Sequence, residues 1–133
     1  MCAPKDLGRM AFIAAFIGKG GESTHFGTFE RLYIANRQAL SNLPPVTEFC
    51  FLQTDTGALF VEPITDKQVD IKVTSNYFNG SVPARAAGII LTLFSLCQLW
   101  ELTGEDRHAD LYHELRNYAA SVPNRSQIFL AID

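Results

Sequence analysis

Positive charge is scarce and dispersed in this sequence: 11 lysines and arginines stand against 14 aspartates and glutamates in 133 residues, for a net charge of -3. No stretch gathers them into the basic footprint of a nucleic-acid-binding domain, and no acidic tail stands out. The carboxylates are also too sparse for imitation of DNA, whose phosphates supply about one charge per 1.7 Å of helix. Cysteine is limited to Cys2, Cys50 and Cys97, an odd number at wide spacings, which excludes a disulfide framework. Cys97 falls in an apolar helical run and Cys50 alternates between two phenylalanines. All three are therefore expected as buried or terminal free thiols in a reducing compartment.

Long apolar runs are missing too. The longest is cut by Arg85 and Gln98 before it reaches the roughly 20 residues that span a bilayer. The N-terminal "MAFIAAFIG", preceded by Lys5 and Arg9, has no convincing cleavage site, and Asp6 interrupts its basic region, so no signal peptide is expected. A cytoplasmic protein without membrane contact follows. Of three histidines, His108 and His113 are five apart, which on a helix turns them about 140° from one another. A zinc-binding helix uses two four apart on one face. They are expected on a solvated helix face, and His25 in a Gly/Ser/Thr-rich loop. There is no G-x-x-x-x-G-K-[ST] loop, no G-x-S-x-G elbow, and no nucleophile with a visible base. The expectation is a protein that is not an enzyme, without cofactor or metal.

What the sequence does have is core-forming material: 47% apolar residues, ten of them phenylalanine, which suits one globular domain over 1–133. Leu7, Met10, Phe12, Ile13, Phe16 and Ile17 recur at helical spacing, predicting a helix over 6–17 stopped by the glycines of "GKGG" at 18–21. A second helix over 28–41 has Thr28 as its N-cap, and Phe29, Leu32, Tyr33, Asn36 and Leu40 along one side, before "NLPP" ends it. The period then changes to two. "TEFCFLQ", "GALFVEP" and "QVDIKV" predict a three-stranded antiparallel meander over 47–74. A central helix over 82–101, apolar around most of its circumference, follows. Thr103 to Asp106 resembles a capping box opening a helix over 104–120, and Pro123 introduces a last helix over 123–131. The class is α+β, with helices packed on one side of a small antiparallel sheet.

Two regions invite a functional reading. In "NYFNGSVPARAAG" Ser81 is expected to cap the central helix, and Asn76, Asn79 and Arg85 are polar groups beside an apolar element. Gly88 is expected to be small so that another element can approach closely. Gly80 and the free N–H groups of a helix start also suit an anion, with Arg85 as the nearby cation. Further on, Asp106, Asp110 and Glu114 form an i, i+4, i+8 line of carboxylates roughly 6 Å apart per step, a docking strip for a basic partner that Arg107 and Arg116 would dilute. Asp133 adds terminal negative charge. The aromatic residues Phe49, Phe51, Phe60, Tyr77 and Phe78 could stack bases on a sheet. They lack the flanking cations of such a surface and suit a core better.

The C-terminal half resembles the ArdB/KlcA antirestriction proteins. Their pattern reads here as Asn76, Phe78 and Gly80; Ser81; Ala86 to Ile89; Thr92 to Phe94; Asp106 and Arg107; Leu111 and Tyr112; Leu115, Arg116, Tyr118 and Ala119; and Ile128, Phe129, Ala131, Ile132 and Asp133. More weakly, Arg9, Phe12, Gly18, Glu30, Tyr33, Phe49, Phe51, Gly57 and Pro63 fit the family's first half. The departures lie there: Val46-Thr47 replaces a Gly-Gly, Phe49 a Trp, and Ala14 a Pro. The resemblance implies a small protein of plasmids or other mobile elements that relieves type I restriction of incoming unmodified DNA in the bacterial cytoplasm, without enzymatic action or DNA mimicry. Its implied partner is a type I restriction-modification complex, engaged directly or indirectly. DNA contact stays open but without support from charge, and a monomer is expected. A nucleic-acid or protein interaction module on the same scaffold, without antirestriction activity, is the alternative. The candidate interaction residues are Asn76, Asn79, Arg85, Asp106, Asp110, Glu114 and Asp133.

Overall fold

A computed structural model describes residues 3–18, 21 and 23–133. The expectations for Cys2 and for the middle of "GKGG" lie outside them. Strand β1 (Lys5–Asp6) precedes helix α1 (Gly8–Ile17). The helix starts at 8 rather than 6 because Lys5 and Asp6 pair with Gln53 and Leu52 of β2 (Phe49–Gln53), and the Leu7 N–H donates to Phe51 O at 2.9 Å. Gly18, at φ +67°, ends α1 with its N–H on Ala14 O at 3.1 Å. A positive φ costs glycine no Cβ clash.

Helix α2 (Ser23–Leu40) begins at 23 instead of 28. Thr28 is therefore not its N-cap but sits inside it, its hydroxyl donating to Thr24 O at 3.3 Å. His25 moves with it from the expected loop into the helix. The cause is tertiary: Phe26 packs edge-on against Phe16 (5.4 Å between ring centroids) and Phe12 (6.0 Å), and this burial overrides the weak helix propensity of "STHFGT".

β2 pairs antiparallel with β3 (Leu59–Pro63), Phe51 opposite Val61. The next strand, β4 (Val69–Val73), does not join them as the meander predicts. It pairs instead with β5 (Phe78–Val82), a stretch expected to be a polar turn leading into a helix. "FNGSV" alternates about Phe78 and Val82, both buried, and a 3-10 turn over Thr74–Asn76 with Tyr77 at φ +55° closes the hairpin. Ser81 accordingly is not a helix cap. It faces Asp70 across the ladder and donates to its carboxylate, while Pro83 takes the N-cap position.

Adjacent residues of a strand point to opposite faces. Phe51 meets Phe12 of α1 (5.1 Å), whereas Phe60 meets Tyr118 of α4 (Asp106–Ala119) at 6.0 Å. Helices thus cover both faces of the three-stranded sheet, and the α+β class stands. α3 (Ala84–Thr103) runs along the outer edge of β3. There the Val61 N–H donates to Thr92 Oγ1 (3.0 Å) and Val61 O accepts from the Tyr33 hydroxyl (2.9 Å), so side chains close an edge that would otherwise invite pairing. A Cβ on Gly88 would lie 2.6 Å from Val61 O and 2.8 Å from Glu62 Cα, which explains the glycine at this approach.

By length and composition α3 could cross a bilayer, since Arg85 and Gln98 do not lower its hydropathy enough, yet 61% of its most apolar window is buried inside the protein. It packs against α2, α4, β3 and α5 (Arg125–Ile132). Asn36 ties it to α2 by donating to Ser95 Oγ (3.0 Å) and Gln98 Oε1 (2.9 Å). Gly104, at φ +67°, stops it with its N–H on Trp100 O at 2.8 Å. Thr103 is the last residue of α3 and opens no capping box; Glu105 precedes α4 without a side-chain cap.

Candidate functional site

The hairpin β4–β5 is tied to the last helix at both ends: Asn76 Nδ2 donates to Ala131 O at 2.7 Å and Gln127 Nε2 to Ser81 O at 3.4 Å. From the other side Arg116 of α4 reaches Asp133 through both terminal nitrogens (3.0 and 3.1 Å), with its guanidinium 5.0 Å over the Phe129 ring. Asn76 and Asp133 thereby line one open groove of about 570 Å³ with Ser126, Phe129 and Leu130. The remaining candidates lie elsewhere. Asn79 is exposed on β5 opposite Lys72. Arg85 is paired with Glu62 at 3.0 Å and borders a separate cavity of about 380 Å³ with Pro4, Tyr118 and Asn124. The anion reading of this junction loses its cation and its helix start together.

Asp106, Asp110 and Glu114 are exposed along α4. Neither arginine dilutes them as the sequence suggests. Arg116 is committed to Asp133, and Arg107 turns inward, where its Nη2 and Nε donate to Ala15 O (2.6 Å) and Phe16 O (3.3 Å) at the end of α1. An arginine on helix-terminal carbonyls satisfies acceptors that have no partner within the helix. Glu114 also borders a cavity of about 610 Å³ with Asp55, Thr56, Asn117 and Tyr118.

His108 is not on a solvated face. It is buried, its Nδ1 2.6 Å from Thr103 Oγ1, with its ring 4.9 Å from that of His25 and 6.2 Å from that of Phe16. Burial lowers its pKa below the usual imidazole value, and the neighbouring His25 lowers it further. His113 is exposed and its ring packs edge-on against Trp100 at 5.7 Å. Cys50 and Cys97 are free and half-buried. Burial pushes both thiols up, with Asp6 and Glu62 adding at Cys50 and Glu101 at Cys97, so neither is an activated thiolate.

Sequence reasoning passed over a second polar cluster around α2. Arg9 forms a two-point ion pair with Glu30 and stacks over Phe26 (5.3 Å) and Phe51 (5.9 Å). Arg37 lies buried with its guanidinium 5.6 Å over Phe49. The signal was there to read, because Arg37 follows Tyr33 by four residues and shares its inward face.

A family model described as "Antirestriction protein" matches residues 48–133. One antirestriction protein KlcA of Escherichia coli is 32% identical over 138 aligned positions, covering 96% of this chain and 89% of its own length. Another KlcA of Escherichia coli is 41% identical over 81 residues; there the match covers 58% of this chain and 57% of that protein. Among solved structures, a chain from the work on KlcA and ArdB aligns at TM-score 0.72 and 33% identity over 83% of this chain and 84% of its own. Those proteins are described as having a novel fold and antirestriction activity against type I DNA restriction systems in vivo but not in vitro.

Proposed function

Since the chain belongs to the antirestriction protein family of KlcA and ArdB, we propose that it relieves type I restriction of incoming unmodified DNA in the bacterial cytoplasm, acting by protein contact rather than by catalysis or DNA mimicry. The observation that carries the mechanism is how its charge is used. Glu30, Glu62 and Asp133 are taken up in ion pairs, and among the described residues Asp106, Asp110 and Glu114 form an exposed acidic row along α4. Three carboxylates on one helix span too little to replace a phosphate ladder. They suit a strip that docks a basic patch of the restriction complex or of a protein that complex needs. The relatives' activity in vivo but not in vitro supports a target present in the cell and missing from the purified reaction.

Asn76, Arg85 and Asp133 act as the frame of this surface: Asn76 and Asp133 fix α5 to the hairpin and to α4, and Arg85 fixes α3 to β3, while Asn79 stands exposed on β5, open to contact. Transformation of unmodified plasmid into a restricting host tests the reading. Expression should raise the yield of transformants, and Asp106→Lys combined with Asp110→Lys should abolish the rise without unfolding the protein. Equal yields with and without the protein on several type I hosts would refute it.

A further inference from the structure

Two tyrosines of this protein are buried, and a buried phenol usually finds a hydrogen-bond partner. Tyr33 does, donating to Val61 O at 2.9 Å. Tyr118 is 7% exposed, with its ring stacked on Phe60 at 6.0 Å, yet its hydroxyl has no hydrogen-bond partner among the described residues. Nor is that hydroxyl sealed in: among the described residues only Arg37 Nε is a buried side-chain polar atom that lacks both a partner and access. Tyr118 borders the cleft of about 610 Å³ whose other walls are Asp55, Thr56, Glu114, Asn117 and Ser121. It also borders the cavity of Arg85, whose guanidinium Glu62 already takes at 3.0 Å. Burial pushes the phenol pKa up, Arg85 pulls it down, and Asp55 and Glu62 add to the rise, so the hydroxyl lies within reach of the Asp55 charge. Neither the Asp55 nor the Glu114 carboxylate has an ion pair or hydrogen bond among the described residues, and no residue lining the cleft is basic.

Local structure brings these groups together. Along α4 the line Asp106, Asp110, Glu114 advances four residues at a time, and each step turns about 40° round the helix. Tyr118 is the next member, so it comes about 120° round from Asp106 and reaches the buried side while Glu114 stays exposed beside it. Asp55 arrives from the turn between β2 and β3. Thr54 fixes that turn: its N–H donates to Ala58 O at 2.9 Å, its carbonyl accepts from the Gly57 N–H at 3.0 Å, and its Oγ1 accepts from the Ala58 N–H at 3.0 Å. We propose that this cleft receives an arginine side chain of a partner protein, its guanidinium held by the Asp55 and Glu114 carboxylates with the Tyr118 hydroxyl as a further acceptor. A guanidinium carries five N–H donors and no acceptor, which suits walls that offer two free carboxylates and a phenol. A divalent metal suits them less, since no group of three or more His, Cys, Asp or Glu able to hold one occurs among the described residues. A phosphate backbone would meet two carboxylates and no cation.

The cleft shares Glu114 with the acidic row and rests on the antirestriction reading for which cellular protein supplies the arginine. Its test is kept apart from restriction: a titration reads the cleft and transformation reads the row, so either can fail without the other. The full 15N-labelled chain is titrated with acetyl-Ala-Arg-Ala-amide and with its neutral citrulline analogue, following the assigned main-chain signals of Thr56 and Asn117. The proposal predicts saturable shifts with the arginine peptide and binding at least about tenfold weaker with the citrulline peptide. Asp55→Asn and Tyr118→Phe should each weaken the arginine peptide by about threefold to tenfold, and Tyr118→Phe should do so at unchanged melting temperature, because the lost hydroxyl has no partner within the fold. The proposal is overturned by equal responses to the two peptides, by no response up to about 10 mM, by unchanged affinity in either variant, or by spermidine saturating the signals at lower concentration than the arginine peptide.

Discussion

Replacing Gly88 with alanine should destabilise this protein although the position is helical. In an unobstructed helix the change stabilises by roughly 0.5–1 kcal/mol, because glycine loses more backbone freedom on folding. Here the added methyl would meet Val61 O at 2.6 Å and Glu62 Cα at 2.8 Å, both main-chain atoms that cannot rotate aside. Restoring an ordinary contact of about 3.4 Å requires α3 and β3 to part by about 0.6–0.8 Å. One turn along α3, Thr92 Oγ1 holds the Val61 N–H at 3.0 Å, a bond such a shift would weaken inside the core. Overpacking costs about 1–3 kcal/mol and a stretched buried bond adds to it, so the net loss should be about 2–3 kcal/mol. At this chain length that corresponds to a fall in melting temperature of roughly 6–12 °C. Urea and thermal unfolding followed by far-UV circular dichroism read both quantities. Gly27→Ala is the internal control: its Cβ would meet only the Arg31 guanidinium at 3.7 Å, so it should stabilise by up to about 1 kcal/mol. A Gly88→Ala protein as stable as the wild type, or more so, would refute the close approach of α3 to β3.

Other outcomes follow from the same packing. His108 is buried with a lowered pKa, faced by His25, Glu105 and Arg107, so the unfolded chain binds its proton more readily than the folded one. Stability should hold above the ordinary histidine pKa of 6.5 and decline as pH falls below it, by at most about 1.4 kcal/mol per pH unit for one proton; His108→Gln should flatten that decline in urea titrations at pH 5 to 8. Asn36→Ala removes a donor from both Ser95 and Gln98 and should cost about 1–3 kcal/mol, non-additively with Ser95→Ala in a double-mutant cycle; strict additivity would argue against the bond. If residues 1–133 form one domain, denaturant unfolding should give coincident transitions by Trp100 fluorescence and by circular dichroism, and two separated midpoints would contradict it.

The helices were the legible part of the fold, because apolar residues at helical spacing report a face that must be buried. Gly88 was legible as well, as a small residue in an otherwise bulky helix. Pairing partners were less so. The alternation in "QVDIKV" shows a strand with one buried face but does not name its neighbour, and "FNGSV" carries Asn, Gly and Ser, which suit turns as readily as an exposed hairpin strand. The start of α2 depended on where Phe26 would find Phe12 and Phe16. At the candidate site the carboxylates of α4 could be aligned from spacing alone. The destinations of Arg107, Arg116 and Arg37 could not, since a long side chain on a helix reaches either solvent or a neighbour, and the neighbours come from residues about 90, 17 and 12 positions away.

The central claim is relief of type I restriction by a protein that neither cuts DNA nor imitates it. Its most direct test is the plating of unmodified phage relative to modified phage on hosts carrying a type I system, with and without the expressed protein, beside a host carrying a type II enzyme. The account predicts a ratio that rises toward one on type I hosts while the type II ratio stays low. A ratio unchanged by the protein on every type I host tried would contradict it.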